Sequence, residues 1–422
     1  MVEMGFPRMV EVRQRIESPR LDDYVSAIRE ELRRKDLRGK VRPGWRIAVT
    51  AGSRGVTHYA EILAAVVEEI KEAGGEPFLV PSMGSHGGAT PEGQIGVLRS
   101  LGITPEAVGA PIASSMEVDE VGRLGNGSPV YVDRNALGAD GIVVVGRVKP
   151  HTDFKGEIES GLMKMMAIGL GKQKGAEMIH WHRKEGYHRL MPEAARLIME
   201  KVPILLGLAV VENARHEIAV VRALEPAEIE DEEKRFLELS KELMARIPFG
   251  EIDVLIIDEM GKNISGVGMD TNVTGRFWLP GEEEPRAPAI KRIAVLDLTE
   301  EAHGNAIGVG LADVTTKRLA SKIDADATYV NCLTAGHIET AKLPVVLPSD
   351  RDAIAMAIRT CGPVDPERAR VVRIRNTQDL ERLWVSEGLA ELAAADPELS
   401  KRVEIIGSPR EMQFDVLGTL AR

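Results

Sequence analysis

Short apolar runs that alternate with amphipathic helical stretches restrict the fold of this chain more than any other feature. "WRIAVTAG" (45–52) reads as a buried strand, and "THYAEILAAVVEEIKEAGG" (57–75) as a helix stopped at Gly74-Gly75. "PFLVPSM" (77–83) is strand-like and "GSHGGAT" (84–90) a loop. A helix follows, opened by Thr90 as cap and Pro91 at its first position. "ADGIVVVGRV" (139–148) and "PILLGLAVVENA" (203–214) continue the series, and residues 215–245 then turn charged and helical. A second series predicts strands at "IDVLIIDEM" (252–260), "IKRIAVLDL" (290–298), "DATYVNCL" (326–333) and "ARVVRIRN" (369–376). Between them, "FWLPGEEEPRAPA" (277–289) reads as an exposed loop. Such alternation predicts an α/β protein: two α/β domains with largely parallel sheets, whose ligands sit beyond the carboxyl ends of the strands. The expected boundaries are 1–245 and 246–399, with a tail at 400–422 packing back on the first domain and an active site in the interdomain cleft.

A chain of 422 residues exceeds one ordinary core, which agrees with two domains. The net charge of −11, without a basic block, argues against a nucleic-acid partner. No apolar run reaches the roughly 18–20 residues needed to cross a bilayer, and the N-terminus lacks a signal-peptide core. A cytoplasmic protein without membrane attachment is expected. Cys332 and Cys361 alone form neither a disulfide framework nor a CxxC knuckle.

Chemistry concentrates in "VKPHTDFKGEIESGLMKMMAIGLGKQKGAEMIHWH" (148–182). His151 follows a strand end behind Pro150, and His86 sits at another strand end among glycines. Two imidazoles on one side of a sheet suit general acid–base work, although each alone reads as an ordinary loop histidine. Lys164 is embedded in Leu, Met and Gly, and desolvation makes a lysine a usable nucleophile or covalent anchor. Lys172 and Lys174, beside Gln173, read as exposed surface charges, and Met163, Met165 and Met166 as packing. His180 and His182 splay apart on a helix and would not chelate one ion together, so one imidazole plus a non-protein donor is the metal arrangement that fits. His182, His188 and Tyr187 border that position without an assigned role. His58 reads as helical, and His337 as following a strand of the second domain. "TAGSRG" (50–55) places Gly52, Ser53 and Arg54 at a strand-to-helix turn, an anion site by geometry. "GKNISGVGMDTNVTGR" (261–276) is a second glycine-rich loop. The P-loop lysine, GxGxxG and HExxH are all absent from the sequence.

The order of His86 in GSHGGAT, Pro150-His151, Lys164 in SGLMK and His180 in MIH resembles the lactate racemase family, over roughly 45–340 and most specifically across 148–180. That resemblance implies a nickel-pincer nucleotide cofactor, a pyridinium-3,5-bisthiocarboxylic acid mononucleotide holding nickel. It implies Lys164 as the covalent attachment, His180 as the nickel ligand, and His86 and His151 as acid–base groups on opposite faces of the substrate. Gly52, Ser53, Arg54, Asp270 and Asn272 would then contact the cofactor, and Arg54, Arg276 and Trp278 the substrate. Cofactor-synthesis proteins are implied partners. Departures fall on the substrate side: Ala51 replaces an aspartate, Gly87 an arginine, and Gly275, Arg276 and Trp278 stand where an amide and a lysine are placed. The expected activity is therefore racemisation or epimerisation of a 2-hydroxy acid other than lactate, such as a sugar acid or a larger hydroxy acid. Two other readings fit the residues: a lysine-dependent enzyme without nickel, and a nucleotide- or sugar-acid-binding protein without turnover.

Overall fold

The computed structural model describes residues 5–53, 56–277 and 288–421. The chain divides into two compact units, Ser18–Met244 and Ala245–Arg422 together with Met1–Glu17.

The first unit is built on a five-stranded sheet in the order Glu76–Pro81, Arg46–Ala51, Gly141–Arg147, Ile204–Glu212, Ile218–Leu224. The first four strands run parallel, and the last returns antiparallel. Ile47, Val49, Leu79, Val143, Val145, Leu206 and Leu208 all lie in one buried cluster with Ile28 and Leu32 of helix Tyr24–Arg34 and Ile62, Leu63, Val66 and Ile70 of helix Tyr59–Glu72. The continuous apolar runs arise because parallel strands are covered on both faces. From Arg46–Ala51 the chain passes to Glu76–Pro81 on one side and later to Gly141–Arg147 on the other. Such a reversal marks the usual ligand position in these sheets, beyond the carboxyl ends of the strands. Thr90 caps the helix Pro91–Ser100 as expected, its hydroxyl accepting from the Gly93 N–H at 3.0 Å.

Three expectations need correction. Residues 215–245 are not helical throughout. Ile218–Leu224 forms the edge strand, its apolar residues paired with Ile204–Glu212, before the helix Pro226–Leu243 starts at a Glu225–Glu228 capping box. The run 326–333 is not a strand but part of helix Ala325–Ala335. Asp324 caps its start, accepting from the Ala327 N–H at 3.0 Å, and Gly336 closes it at φ +71°. His337 therefore follows a helix. Finally, neither the N-terminal strand nor the C-terminal tail belongs to the first unit. Met9–Gln14 inserts between Arg382–Ser386 and Val403–Ile405, antiparallel to both. These complete an eight-stranded sheet with Val345–Leu347, Val314–Thr316, Ala289–Val295, Glu251–Ile257 and Val371–Ile374, which pair in parallel. Local apolar patterning cannot assign a terminal strand to a sheet made mostly of residues far along the chain. Among the described residues no helix is long and apolar enough to cross a membrane.

Removing the cap at 324 tests the helical assignment. Asp324→Ala should lower the stability of the second unit by about 1 kcal/mol, read as a shift in its urea midpoint; no shift would mean that the helix does not depend on this end.

Candidate functional site

The loop leaving strand Gly141–Arg147 is folded around one buried carboxylate. Glu159 accepts from the His151 N–H at 2.5 Å and the Gly156 N–H at 3.3 Å. The ammonium groups of Lys155 and Lys241 lie 3.4 and 3.5 Å from it. Lys149 and Ser160 close the loop with reciprocal backbone bonds of 3.0 and 3.2 Å. His151 is thereby fixed at a strand end: its Nδ1 accepts from the Asp153 N–H at 3.0 Å, its ring packs on Phe154 at 4.6 Å, and its Nε2 meets the Lys164 Nζ. Burial, together with the positive charges of Lys164, Lys155, Lys149 and His180, holds His151 well below its ordinary value of 6.5. The imidazole is thus neutral at pH 7.

Lys164 ends a short helical turn, Leu162–Lys164, that continues as a π-helical turn over Met165–Leu170 and an α-helix over Lys172–Trp181. Insertions of this kind recur at functional sites because they re-aim side chains within a helix. The start is held by Glu233, buried on helix Pro226–Leu243, which accepts from the Met163 N–H at 3.0 Å. A Cβ at residue 161 would collide with the Glu233 carboxylate, so only glycine fits there. Burial pushes the Glu233 carboxyl up to about 7. Met163 and Met166 are fully buried packing residues, as expected.

His180, half-buried, occupies the last turn of that helix. Its ring lies 5.6 Å from Tyr187, which stacks on Phe154 at 4.4 Å and lies 6.2 Å from His151. Tyr187 is buried, and burial with the Asp153 charge raises its phenol well above the ordinary value. An aromatic row His151–Phe154–Tyr187–His180 therefore joins the strand-end histidine to the helix-end one. His188 meets Phe154 edge-on at 5.9 Å. His182 turns away, to within 3.4 Å of Ser128 Oγ, as its two-residue spacing from His180 predicts.

Other strand ends converge on the same helical run. A Cβ at residue 52 would lie 3.0 Å from the Met165 methyl, and the Gly52 N–H donates to Tyr59 Oη at 2.7 Å. Ser53 follows directly. The Gly84 N–H faces the Gly169 carbonyl at 3.4 Å, which seats the loop carrying His86 on the run between Lys164 and His180. His86 itself is exposed, at the start of the turn Gly87–Ala89. His58 is not within the helix but precedes it at φ +59°, stacked 5.0 Å from Tyr24.

Lys172 differs most from expectation. It is fully buried, 3.2 Å from Asp133 Oδ2 and donating to Gln94 Oε1 at 3.0 Å. Its charge is met by groups remote in sequence, which its polar neighbours Gln173 and Lys174 gave no reason to expect.

Arg54 and Trp278 lie outside the described residues. The second unit holds Asp270, Asn272 and Arg276. Asp270 caps the turn Thr271–Thr274, its Oδ1 accepting from the Asn272 N–H and side-chain amide, both at 2.8 Å. Arg276 pairs with Asp313 at 2.7 Å and donates to the Leu311 carbonyl at 3.0 Å. These bonds give all three residues a local structural task. Among the described residues, no three or more His, Cys, Asp and Glu side chains gather to hold a metal ion. One amine, one helix-end imidazole and a neutral strand-end imidazole instead form a donor set suited to a group that brings donors of its own.

Residues 6–186 match the lactate racemase N-terminal domain family. Over that segment the chain is similar to the lactate racemase N-terminal domain. The matched segment contains His86, His151, Lys164, Lys172 and His180, and stops just short of Tyr187. The lactate racemase apoprotein from Thermoanaerobacterium thermosaccharolyticum is similar in fold, with a TM-score of 0.53 over 87% of this chain and 94% of that one, at 12% identity. At that identity the likeness is one of fold. No curated protein matches in sequence.

Two measurements check the electrostatics of this domain. By histidine NMR of cofactor-free protein, His151 should titrate well below 6.5, and Lys164→Met should raise that value by removing the largest neighbouring charge; an unchanged titration would place the ammonium elsewhere. For Glu233, the folded value near 7 lies above the ordinary 4.5, so the protonated carboxyl is the form the fold favours. Its contribution is complete below 4.5 and is lost as pH rises from 4.5 to about 7. Thermal unfolding temperature should fall across that window, and Glu233→Gln, which mimics the neutral acid, should flatten the decline.

Proposed function

We propose that this protein racemises or epimerises a 2-hydroxy acid other than lactate, with a nickel-pincer nucleotide attached to Lys164 and ligated by His180. The observation that carries this reading is the contact of Lys164 Nζ with His151 Nε2, on a helical run that ends at His180 within the segment similar to the lactate racemase N-terminal domain. When bound, the cofactor supplies a hydride acceptor for the substrate carbon. The protein's own groups supply the rest. Lys164 anchors the group at one end of the run, and His180 offers a single imidazole at the other. His151, kept neutral by burial and by the charges of Lys155 and Lys149, takes the hydroxyl proton of one enantiomer and returns it. His86 does so for the other enantiomer, from the loop seated on the same run. The glycine-bearing end of strand Arg46–Ala51 lies against Met165.

Position 87 favours a substrate different from lactate. Gly87 adopts φ +69°, and a Cβ there would collide with the Gly93 and Gln94 backbone. An arginine, which the resemblance implies at this position in lactate racemases, has no room. The fully buried Ala51 likewise offers no carboxylate. The substrate's acid group must therefore be met by other residues.

The test is intact mass and nickel content of protein made with and without co-expressed cofactor-synthesis enzymes. A mass increase mapped to Lys164, absent from Lys164→Ala, is expected, together with an adduct that loses its nickel in His180→Ala. In loaded protein, His86→Ala and His151→Ala should each lower inversion of the accepted 2-hydroxy acid by about 10²–10⁴-fold. Absence of adduct and nickel under conditions that load a lactate racemase would overturn the cofactor assignment.

A further inference from the structure

The buried charge at Lys172 has no part in the chemistry proposed above, yet it lies on the site's helical run, eight residues from Lys164 and eight from His180. It has φ +53°, the left-handed region that a residue with a Cβ seldom adopts, at the break between the π-helical turn and the α-helix that follows. Its ammonium donates to the Pro81 carbonyl and to Gln94 Oε1 at 3.0 Å, and it pairs with Asp133, 3.2 Å from Oδ2. Asp133 is buried as well, with its other oxygen accepting from the Ala136 N–H at 3.0 Å. A buried ion pair is seldom the most stable way to fill a core, since apolar residues of the same volume often do as well. Its presence calls for something an apolar pair would not do.

Gln94 supplies it. This side chain is fully buried on helix Pro91–Ser100. An ammonium can only donate, so the Gln94 carbonyl oxygen must face Lys172, which turns the amide NH₂ toward the preceding loop. There Nε2 donates to the Gly84 carbonyl at 2.9 Å and to the His86 carbonyl at 3.3 Å. The chain of contacts Asp133–Lys172–Gln94 therefore ends on the backbone of His86, with Pro81 held by the same ammonium at the strand end where the loop begins.

We propose that Lys172 is a positioning residue: by orienting the Gln94 amide, it clamps the His86 loop to the helical run that carries Lys164 and His180. The consequence for turnover rests on the reading of His86 as an acid–base group; the clamp itself does not. Gln94→Met keeps the size of the side chain and removes its donors, leaving Lys172 paired with Asp133 and Pro81. Lys172→Met combined with Asp133→Asn removes the charge pair without stranding either charge. Hydrogen exchange by mass spectrometry reads both variants without any cofactor. Peptides covering 82–90 should exchange about tenfold faster or more, with 162–181 and the unfolding temperature of Gln94→Met close to those of the parent. In loaded protein, attachment at Lys164 should be unchanged, while kcat should fall about 10- to 100-fold with KM within about twofold, because a misplaced base slows chemistry more than binding. Unchanged exchange at 82–90 in both variants overturns the clamp. So does faster exchange spread equally over 162–181, which would mark a general packing role. Faster exchange at 82–90 with undiminished kcat keeps the clamp and overturns the acid–base reading of His86.

Discussion

Parallel pairing of Arg46–Ala51 with Glu76–Pro81 and Gly141–Arg147 is the constraint on which the first unit depends. Parallel strands require crossovers, and crossovers cover both faces of the sheet, so the strand ends become the one place where loops are free to carry polar groups. The order reverses at Arg46–Ala51, and three strand ends lie side by side there. Gly52, the His86 loop and His151 come from those three ends, and one helical run, from Leu162 to Trp181, lies against all of them.

That run needs support, because it combines glycines, a π-helical turn and a left-handed lysine. Buried groups supply it at three places. Glu233 holds its start, Lys172 with Asp133 and Gln94 holds its middle, and the aromatic row through Tyr187 and Phe154 ties its end to His151. Glu159 does the same for the loop that presents His151. Glu233, Lys172 and Glu159 each bond to backbone or to an opposite charge, which lowers the cost of removing them from water. Hydrogen bonds to main-chain groups also fix direction, which burial alone does not.

Several elements were legible because their signals are local. The strands at 45–52, 139–148 and 203–214 follow from unbroken apolar runs, and the Thr90-Pro91 start follows from cap chemistry that involves only neighbours. The misreading of 326–333 has the same root. The helix Ala325–Ala335 presents apolar Tyr329, Val330 and Leu333 to solvent, so no amphipathic period marks it, and only Asp324 and Gly336 give it away. Glu159 and Glu233 passed unnoticed because glutamates in charged stretches are usually solvated, and nothing near them in sequence announces their burial.

The sequence by itself determined the α/β alternation, the two-domain division near residue 245, and the grouping of His151, Lys164 and His180 on a glycine-rich stretch. These rest on residue type and spacing, which act through nearest neighbours. Only the tertiary structure decided that Met9–Gln14 joins the second sheet and that Lys172 is buried against Asp133 and Gln94. It also decided that Asp270, Asn272 and Arg276 each bond within their own unit. Lys172 meets Gln94 across 78 residues and Pro81 across 91. Contacts of that separation are set by how the strands are ordered in the sheet, and strand order is a property of the whole chain's packing rather than of any window along it.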